Sequence, residues 1–272
     1  MNHNISRAIL LASSGTASLD VFNKTINPIE DKIKNMYPEY KILKAFTSDR
    51  IIEIIDSQYS VKMHSLETAL LSLYKEGYKE IYIQSLHLVP GSEFEKIEGI
   101  VKRFSYINYF DKLLLGKPIL YEYNDEAEDD YDRLIEVLSK HFLKIKNDES
   151  IIFLGHGGLN FYNVFYENFQ SKLKKNGFNN AYVFTTKNYL ELANINANFI
   201  VKNINKVYLV PFMIFAGGHV KKYMVGESSN SLKNILINNK IKVDTYLQGL
   251  GEDEDVRNIF LERLEEICPI DK

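Results

Sequence analysis

The chain has one cysteine in 272 residues, no apolar run approaching the roughly 18 residues of a membrane helix, and no excess of positive charge. The lone Cys268 excludes an internal disulfide, and beside a C-terminal helix end it is expected to be a packed thiol rather than a ligand. Such thiol usage fits a reducing cytoplasm. The first apolar run, residues 8–12, follows Arg7 but stops at Ser13-Ser14-Gly15. It is too short for the apolar core of a secretion signal and is read as a buried strand. These features together point to a cytoplasmic protein with no membrane partner. Lys and Arg total 33 against 36 Asp and Glu, a net charge of -3, which argues against a general nucleic-acid binder. Low-complexity linker sequence is also missing, so any lobes are expected to pack closely.

What is present is an alternation of short apolar runs with longer amphipathic segments, the pattern of a mainly parallel sheet covered by helices. In the first half, strands are expected at residues 8–12, 40–45, 80–84 and 118–123, with helices at 18–36, 49–57, 65–76 and 93–104. An acidic segment, 124–132, opens a further helix, where its carboxylates complement the helix dipole. The second half predicts strands at 150–154, 180–184, 206–210 and 242–246, and helices at 161–175, 189–202, 229–238 and 253–267.

The halves also align with each other. Ala8 to Gly15 matches Ser150 to Gly157, Ala45 to Ser48 matches Val183 to Thr186, and Ile81 to Ile83 matches Val207 to Leu209. Extending the last match puts Gly91 on Gly217 and Glu93 on His219. The fold class expected is therefore α/β: two similar three-layer lobes, residues 1–125 and 126–272, each a mainly parallel four-stranded sheet flanked by helices. Ligands of open α/β sheets sit beyond the carboxyl ends of the strands. Ser14 and Glu93 of one lobe, and His156 and His219 of the other, are accordingly expected around a shared cleft.

His156 lies in Gly155-His156-Gly157-Gly158 directly after a buried strand, and neutral imidazole there can bind a divalent metal or accept a proton. His219 ends the apolar loop Pro211-Phe212-Met213-Ile214-Phe215-Ala216-Gly217-Gly218, whose walls suit a flat apolar ligand. The plainer alternative makes Phe212, Met213 and Phe215 core residues and His219 the start of a helix. Glu93 can assist metal capture or take protons, or simply complement a helix dipole. His87, between Leu86 and Leu88, is expected to be buried and hydrogen-bonded. Ser13-Ser14-Gly15-Thr16 has the small residues of an anion-holding loop at a helix start. It lacks the lysine of a P-loop and the G-x-G-x-x-G of a dinucleotide fold, so no nucleotide is expected.

Six blocks in order carry a resemblance to a known family: Leu11 to Thr16, Ala45 to Ser48, Gln84 to Gly91, Gly155 to Gly157, Pro211 to His219, and Gly249 to Glu252. Through nearly its whole length the chain resembles the anaerobic sirohydrochlorin cobaltochelatases of the CbiK type, within the class II tetrapyrrole chelatases. The resemblance implies a tetrapyrrole between two lobes and ATP-independent insertion of Co2+, with Fe2+ or Ni2+ as alternatives. It also implies a homo-oligomer. His156 and His219 match the family's metal-binding and proton-removing histidines. Ser13, Ser14, Gly15, Thr16, His87, Phe212, Met213 and Lys187 are the residues expected to contact the macrocycle. Where the family carries a metal-site glutamate, this chain has Thr185-Thr186-Lys187-Asn188, and where it carries an aspartate before the second histidine, this chain has Gly218. A degenerate relative that binds, carries or demetallates a tetrapyrrole is the alternative reading; a binding protein for another anionic small molecule is a third.

Overall fold

Residues 8–12 of strand β1 (Arg7–Ser13) are at most 1% exposed, because both faces of a central parallel strand are covered. The computed structural model describes residues 6–59, 63–142, 144–158, 160–189, 203–268 and 270. These divide into two compact units, 1–121 with 254–272, and 122–253.

In the first unit, Ser18 caps helix α1 (Leu19–Met36) by accepting the Val21 N–H, one of the donors a helix start leaves unpaired. The chain then runs through β2 (Lys41–Phe46), α2 (Asp49–Tyr59), β3 (His64–Ser65), α3 (Leu66–Lys75), β4 (Glu80–Ser85), α4 (Ser92–Tyr106) and β5 (Lys112–Gly116). The five strands are parallel in the order β3-β2-β1-β4-β5. The direction of winding reverses between β1 and β4, the switch point at which such sheets open a crevice.

Two expectations are corrected here. This sheet has five strands rather than four, because the two-residue β3 adds an edge. The final strand is Lys112–Gly116, not residues 118–123. Pro118 has no N–H to donate to a ladder. Beyond it Ile119 and Leu120 bond to the backbone of His87 and Leu88, which lie past the end of β4, so the segment follows β4 outside the sheet.

The second unit contains α5 (Asp130–His141), β6 (Glu149–Gly155), a 3-10 turn (Asn160–Asn163), α6 (Val164–Lys175), β7 (Ala181–Thr185), β8 (Lys206–Phe212), a π-helical turn (Val220–Met224), α7 (Leu232–Asn238) and β9 (Lys242–Thr245). Its parallel sheet has the order β7-β6-β8-β9, and the switch point falls between β6 and β8. The helix expected over 189–202 lies almost wholly outside the described residues. The last helix, α8 (Glu254–Ile267), packs on β4 and β5 of the first unit, although its sequence position suggested the second.

The internal alignment is matched by the ladders. Ala12 pairs with Ser85 in the first sheet, and the aligned Leu154 pairs with Pro211 in the second. On the other side the registers differ by one residue, since Ala12 pairs with Ala45 but Leu154 with Phe184 rather than Val183. Cys268 is buried and unbridged, and its carbonyl accepts the Tyr37 hydroxyl at 2.6 Å. No helix among the described residues is long and apolar enough to cross a membrane.

The acidic segment supplies structure. Asp129 caps α5 by accepting the N–H groups of Tyr131 and Asp132. The buried Lys172 of α6 lies 3.1 Å from Asp129 and 2.5 Å from Asp132. Removing one partner from a buried ion cluster strands the opposite charge. Lys172→Met is expected to lower unfolding free energy by about 3 kcal/mol in urea titrations; an unchanged midpoint would show that water compensates the two carboxylates.

Candidate active site

His156 stands one residue beyond β6, and its loop is held from three sides. Gly155 packs so closely on Tyr166 that a Cβ would lie 2.2 Å from the ring. Gly157 has φ +70°, a left-handed conformation, and a Cβ there would meet Thr185 at 2.7 Å. The Gly157 N–H donates to the Tyr166 hydroxyl at 3.3 Å, while the Thr186 hydroxyl donates to the His156 carbonyl at 2.6 Å.

His219 reaches the same place from β8. The strand ends at Phe212, whose ring stacks on Phe169 (centroids 4.3 Å apart, 15° between planes) and also meets Phe153 and Tyr166. At 1% exposure Phe212 has no face to offer a macrocycle, so the core alternative holds for it; Met213 is partly buried against the second unit's core. The loop that follows is tied to the turn Leu250–Glu252 by two bonds, Leu250 N–H to the Met213 carbonyl and Gly251 N–H to the Ile214 carbonyl. Beyond the loop, Tyr223 on the π-helical turn stacks almost parallel to the His219 ring, at 9° and 5.8 Å between centroids.

These two loops bring the imidazoles together. The Nε2 atoms of His156 and His219 are 3.1 Å apart, with the rings nearly perpendicular at 86°. His156 Nδ1 lies 2.7 Å from the Gly157 carbonyl. A carbonyl only accepts, so Nδ1 carries the hydrogen and the neutral ring presents a lone pair at Nε2. An ion bonded to both nitrogens at about 2.1 Å would subtend about 95°, an ordinary angle between neighbouring ligands. Partial desolvation, then the neighbouring His156, Lys187 and Lys222, hold the His219 pKa below the usual imidazole value. At neutral pH His219 is therefore neutral and able to bind a cation. Among the described residues, no carboxylate or thiolate completes a three-ligand cluster with this pair.

Lys187 follows β7 in the turn that contributes Thr186. Its N–H donates to the Thr185 hydroxyl, and its side chain is exposed. Glu191, the nearest acidic residue in sequence, lies outside the described residues.

The other expected site residues belong to the first unit, around its own switch point. Ser13 closes β1, Gly15 has φ +80°, and the Thr16 hydroxyl accepts the Ser18 N–H. Ser14 is half-buried in the same loop. His87 follows β4 and holds the Ser85 hydroxyl through Nδ1 at 2.9 Å. His87 is half-buried rather than buried, and its expected hydrogen bonding is met at one nitrogen only. Its Nε2, the Ser13 hydroxyl and one Glu93 carboxylate oxygen are buried without a hydrogen-bond partner. Unpaired buried polar atoms are costly, so these three are polar positions near the first unit's switch point that a ligand could satisfy.

The model of the cobalt chelatase (CbiK) family matches residues 7–268, nearly the whole chain. The chain belongs to that family. It is 28% identical over 260 residues to the sirohydrochlorin cobaltochelatase of Salmonella typhimurium, covering 96% of each chain. It is 24% identical over 259 residues to the sirohydrochlorin cobaltochelatase CbiKC of Nitratidesulfovibrio vulgaris, covering 95% of this chain and 89% of the relative. Among solved structures, the sirohydrochlorin chelatase SirB of Bacillus subtilis subspecies spizizenii, in complex with cobalt, superposes with a TM-score of 0.62. That match covers 96% of this chain and 94% of SirB at 15% identity, which carries the fold alone.

In this cobalt chelatase the sequence motifs show only part of what positions the histidines. Tyr166, Thr186 and the Leu250–Glu252 turn were not singled out for that work, although Gly249 to Glu252 was one of the resembling blocks. Tyr166 leaves no local motif, because its partner Gly157 is met only after α6 has folded back.

Burial lowers the His87 pKa to about 4. The unfolded chain, with imidazole near 6.5, then binds the proton more tightly between these values. Stability should be unaffected above pH 6.5, fall as pH drops toward 4, and level off below. The loss is on the order of 3 kcal/mol. Urea titrations at pH 7 and pH 4.5 should show a larger drop for the wild type than for His87→Gln; equal drops would mean that His87 protonates freely in the folded state.

Proposed function

We propose that this cobalt chelatase inserts Co2+ into sirohydrochlorin or a closely similar tetrapyrrole, without a nucleotide. The observation that carries the reading is the 3.1 Å approach of two imidazole Nε2 atoms at one switch point. The names of the two curated relatives and the family's description support the substrates. Fe2+ and Ni2+, which imidazole also binds, are alternatives for the metal.

In this reading the metal is cargo. A resident ion would call for a closed ligand set, whereas two imidazoles hold a borderline metal firmly enough to present it and weakly enough to release it. The macrocycle must lose two N–H protons as the metal enters, so the positive charge gained equals that released. As the metal leaves His156 and His219, their freed lone pairs can accept those protons. Glu93, with an unpartnered carboxylate oxygen, is a further proton acceptor or metal contact in the same scheme. Ser13, Ser14, Gly15, Thr16, His87 and Met213 are assigned to the macrocycle, as is Lys187. Assembly as a homo-oligomer belongs to this reading by family resemblance only. The alternative of a carrier that binds the tetrapyrrole without efficient insertion draws on the ammonium groups of Lys187 and Lys222 near His219, which oppose a second cation.

Mixing the purified chain with sirohydrochlorin and Co2+ without ATP, and following the absorbance change of insertion, separates the two. The wild type should exceed the spontaneous rate, and His156→Ala and His219→Ala should each lose about 100-fold of that acceleration. Tight binding of the macrocycle with no acceleration would select the carrier.

A further inference from the structure

Two lysines sit on the segments that frame the imidazole pair, and both are exposed. Lys187 sits in the turn whose Thr186 hydroxyl fastens the His156 carbonyl, so its backbone is part of the frame of the site. The Lys222 ammonium lies 4.9 Å from the centre of the Tyr223 ring, and that ring stacks on His219. No Asp, Glu or Cys joins the imidazoles in a ligand cluster among the described residues. A dication arriving alone therefore meets two imidazoles, no anionic ligand and two like charges nearby, a poor balance for capture.

A polycarboxylate ring reverses this balance. Carboxylates pair readily with exposed ammonium groups, and an anion bound there cancels the repulsion and adds attraction for the metal. Accepting the function proposed above, we infer that Lys187 and Lys222 bind carboxylates of the macrocycle and thereby make metal capture by His156 and His219 follow macrocycle binding. The two lysines are specificity-determining residues in this scheme. They favour rings rich in acidic side chains, and they keep the imidazoles from sequestering metal when no ring is present. Binding linkage is reciprocal, so bound metal should tighten the hold on the ring by the same factor.

The test uses the full chain, with Co2+ alone and metal-free sirohydrochlorin alone as probes. Competition against a chromophoric chelator gives the Co2+ affinity; absorbance titration at several salt concentrations gives the macrocycle affinity. Lys187→Glu and Lys222→Glu should each bind Co2+ alone at least about tenfold more tightly, since replacing a like charge by an opposite one is worth a unit or more in such equilibria. Each should also bind metal-free sirohydrochlorin at least about tenfold more weakly, with a shallower salt dependence. Lys187→Met and Lys222→Met should shift both affinities the same way by smaller factors, with unchanged thermal unfolding. Variants that bind the macrocycle as the wild type does, at every salt concentration, would overturn the inference even if their Co2+ affinity rose. Unchanged Co2+ affinity would overturn it as well. A wild type that accelerates insertion while the lysine variants behave normally leaves the proposed function standing; a wild type that neither binds nor metallates the ring removes both.

Discussion

The meeting of the two histidines depends on where β6 and β8 end relative to each other. Gly155 and Phe212 are opposite one another in the parallel ladder, and the winding of the sheet reverses between their strands. His156 is the next residue out from Gly155. His219 lies at the far end of a loop whose starting point is fixed by Phe212, buried among Phe153, Tyr166 and Phe169. A slip of one residue in that ladder would turn Phe212 to the opposite face of the sheet and carry the loop with it. Aromatic packing under the sheet therefore determines a distance above it. Tyr166 serves both ends of this arrangement, as its ring packs on Gly155 and Phe212 and its hydroxyl receives the Gly157 N–H.

The electrostatics of the site follow from what the loops leave out. Hydrogen bonding to the Gly157 carbonyl directs the Nε2 lone pair of His156 toward His219, and partial desolvation with neighbouring positive charge lowers the pKa of the exposed His219. Neutral ligands with few additional donors hold a metal loosely, which suits a protein that must give the metal away. A site designed to keep its ion would surround it with anionic ligands and a completed coordination shell. Here the balancing negative charge is left to be supplied from outside the second unit's described ligand set.

Much of this was readable in the amino-acid sequence, because local chemistry determines it. The buried strands β1, β6 and β8 are largely apolar runs, β1 and β6 end in small residues, and the internal alignment put Ser14 and His156 at equivalent strand ends. Edges were less legible. The two-residue β3 is too short to carry a pattern, and Ile119 and Leu120 are fully buried without being a strand, so their apolar character misdirected the placement of β5. Nor does chain order reveal that α8 packs on β4 and β5. Phe212 was read as a wall of a ligand site because an apolar residue before a glycine-ended loop looks the same whether it faces core or ligand. The separation of the two Nε2 atoms was not readable at all, since it arises from the loop ties at Leu250, Gly251 and Thr186, which join parts of the chain far apart in sequence.

The central claim is that His156 and His219 together hold the metal through Nε2. X-ray absorption at the cobalt edge of the Co2+-loaded chain, without macrocycle, tests it most directly. The account predicts scattering from two imidazole rings bonded through nitrogen at about 2.1 Å, falling to one ring in His156→Ala or in His219→Ala. A first shell of oxygen alone, or imidazole scattering that persists unchanged in both variants, would contradict it.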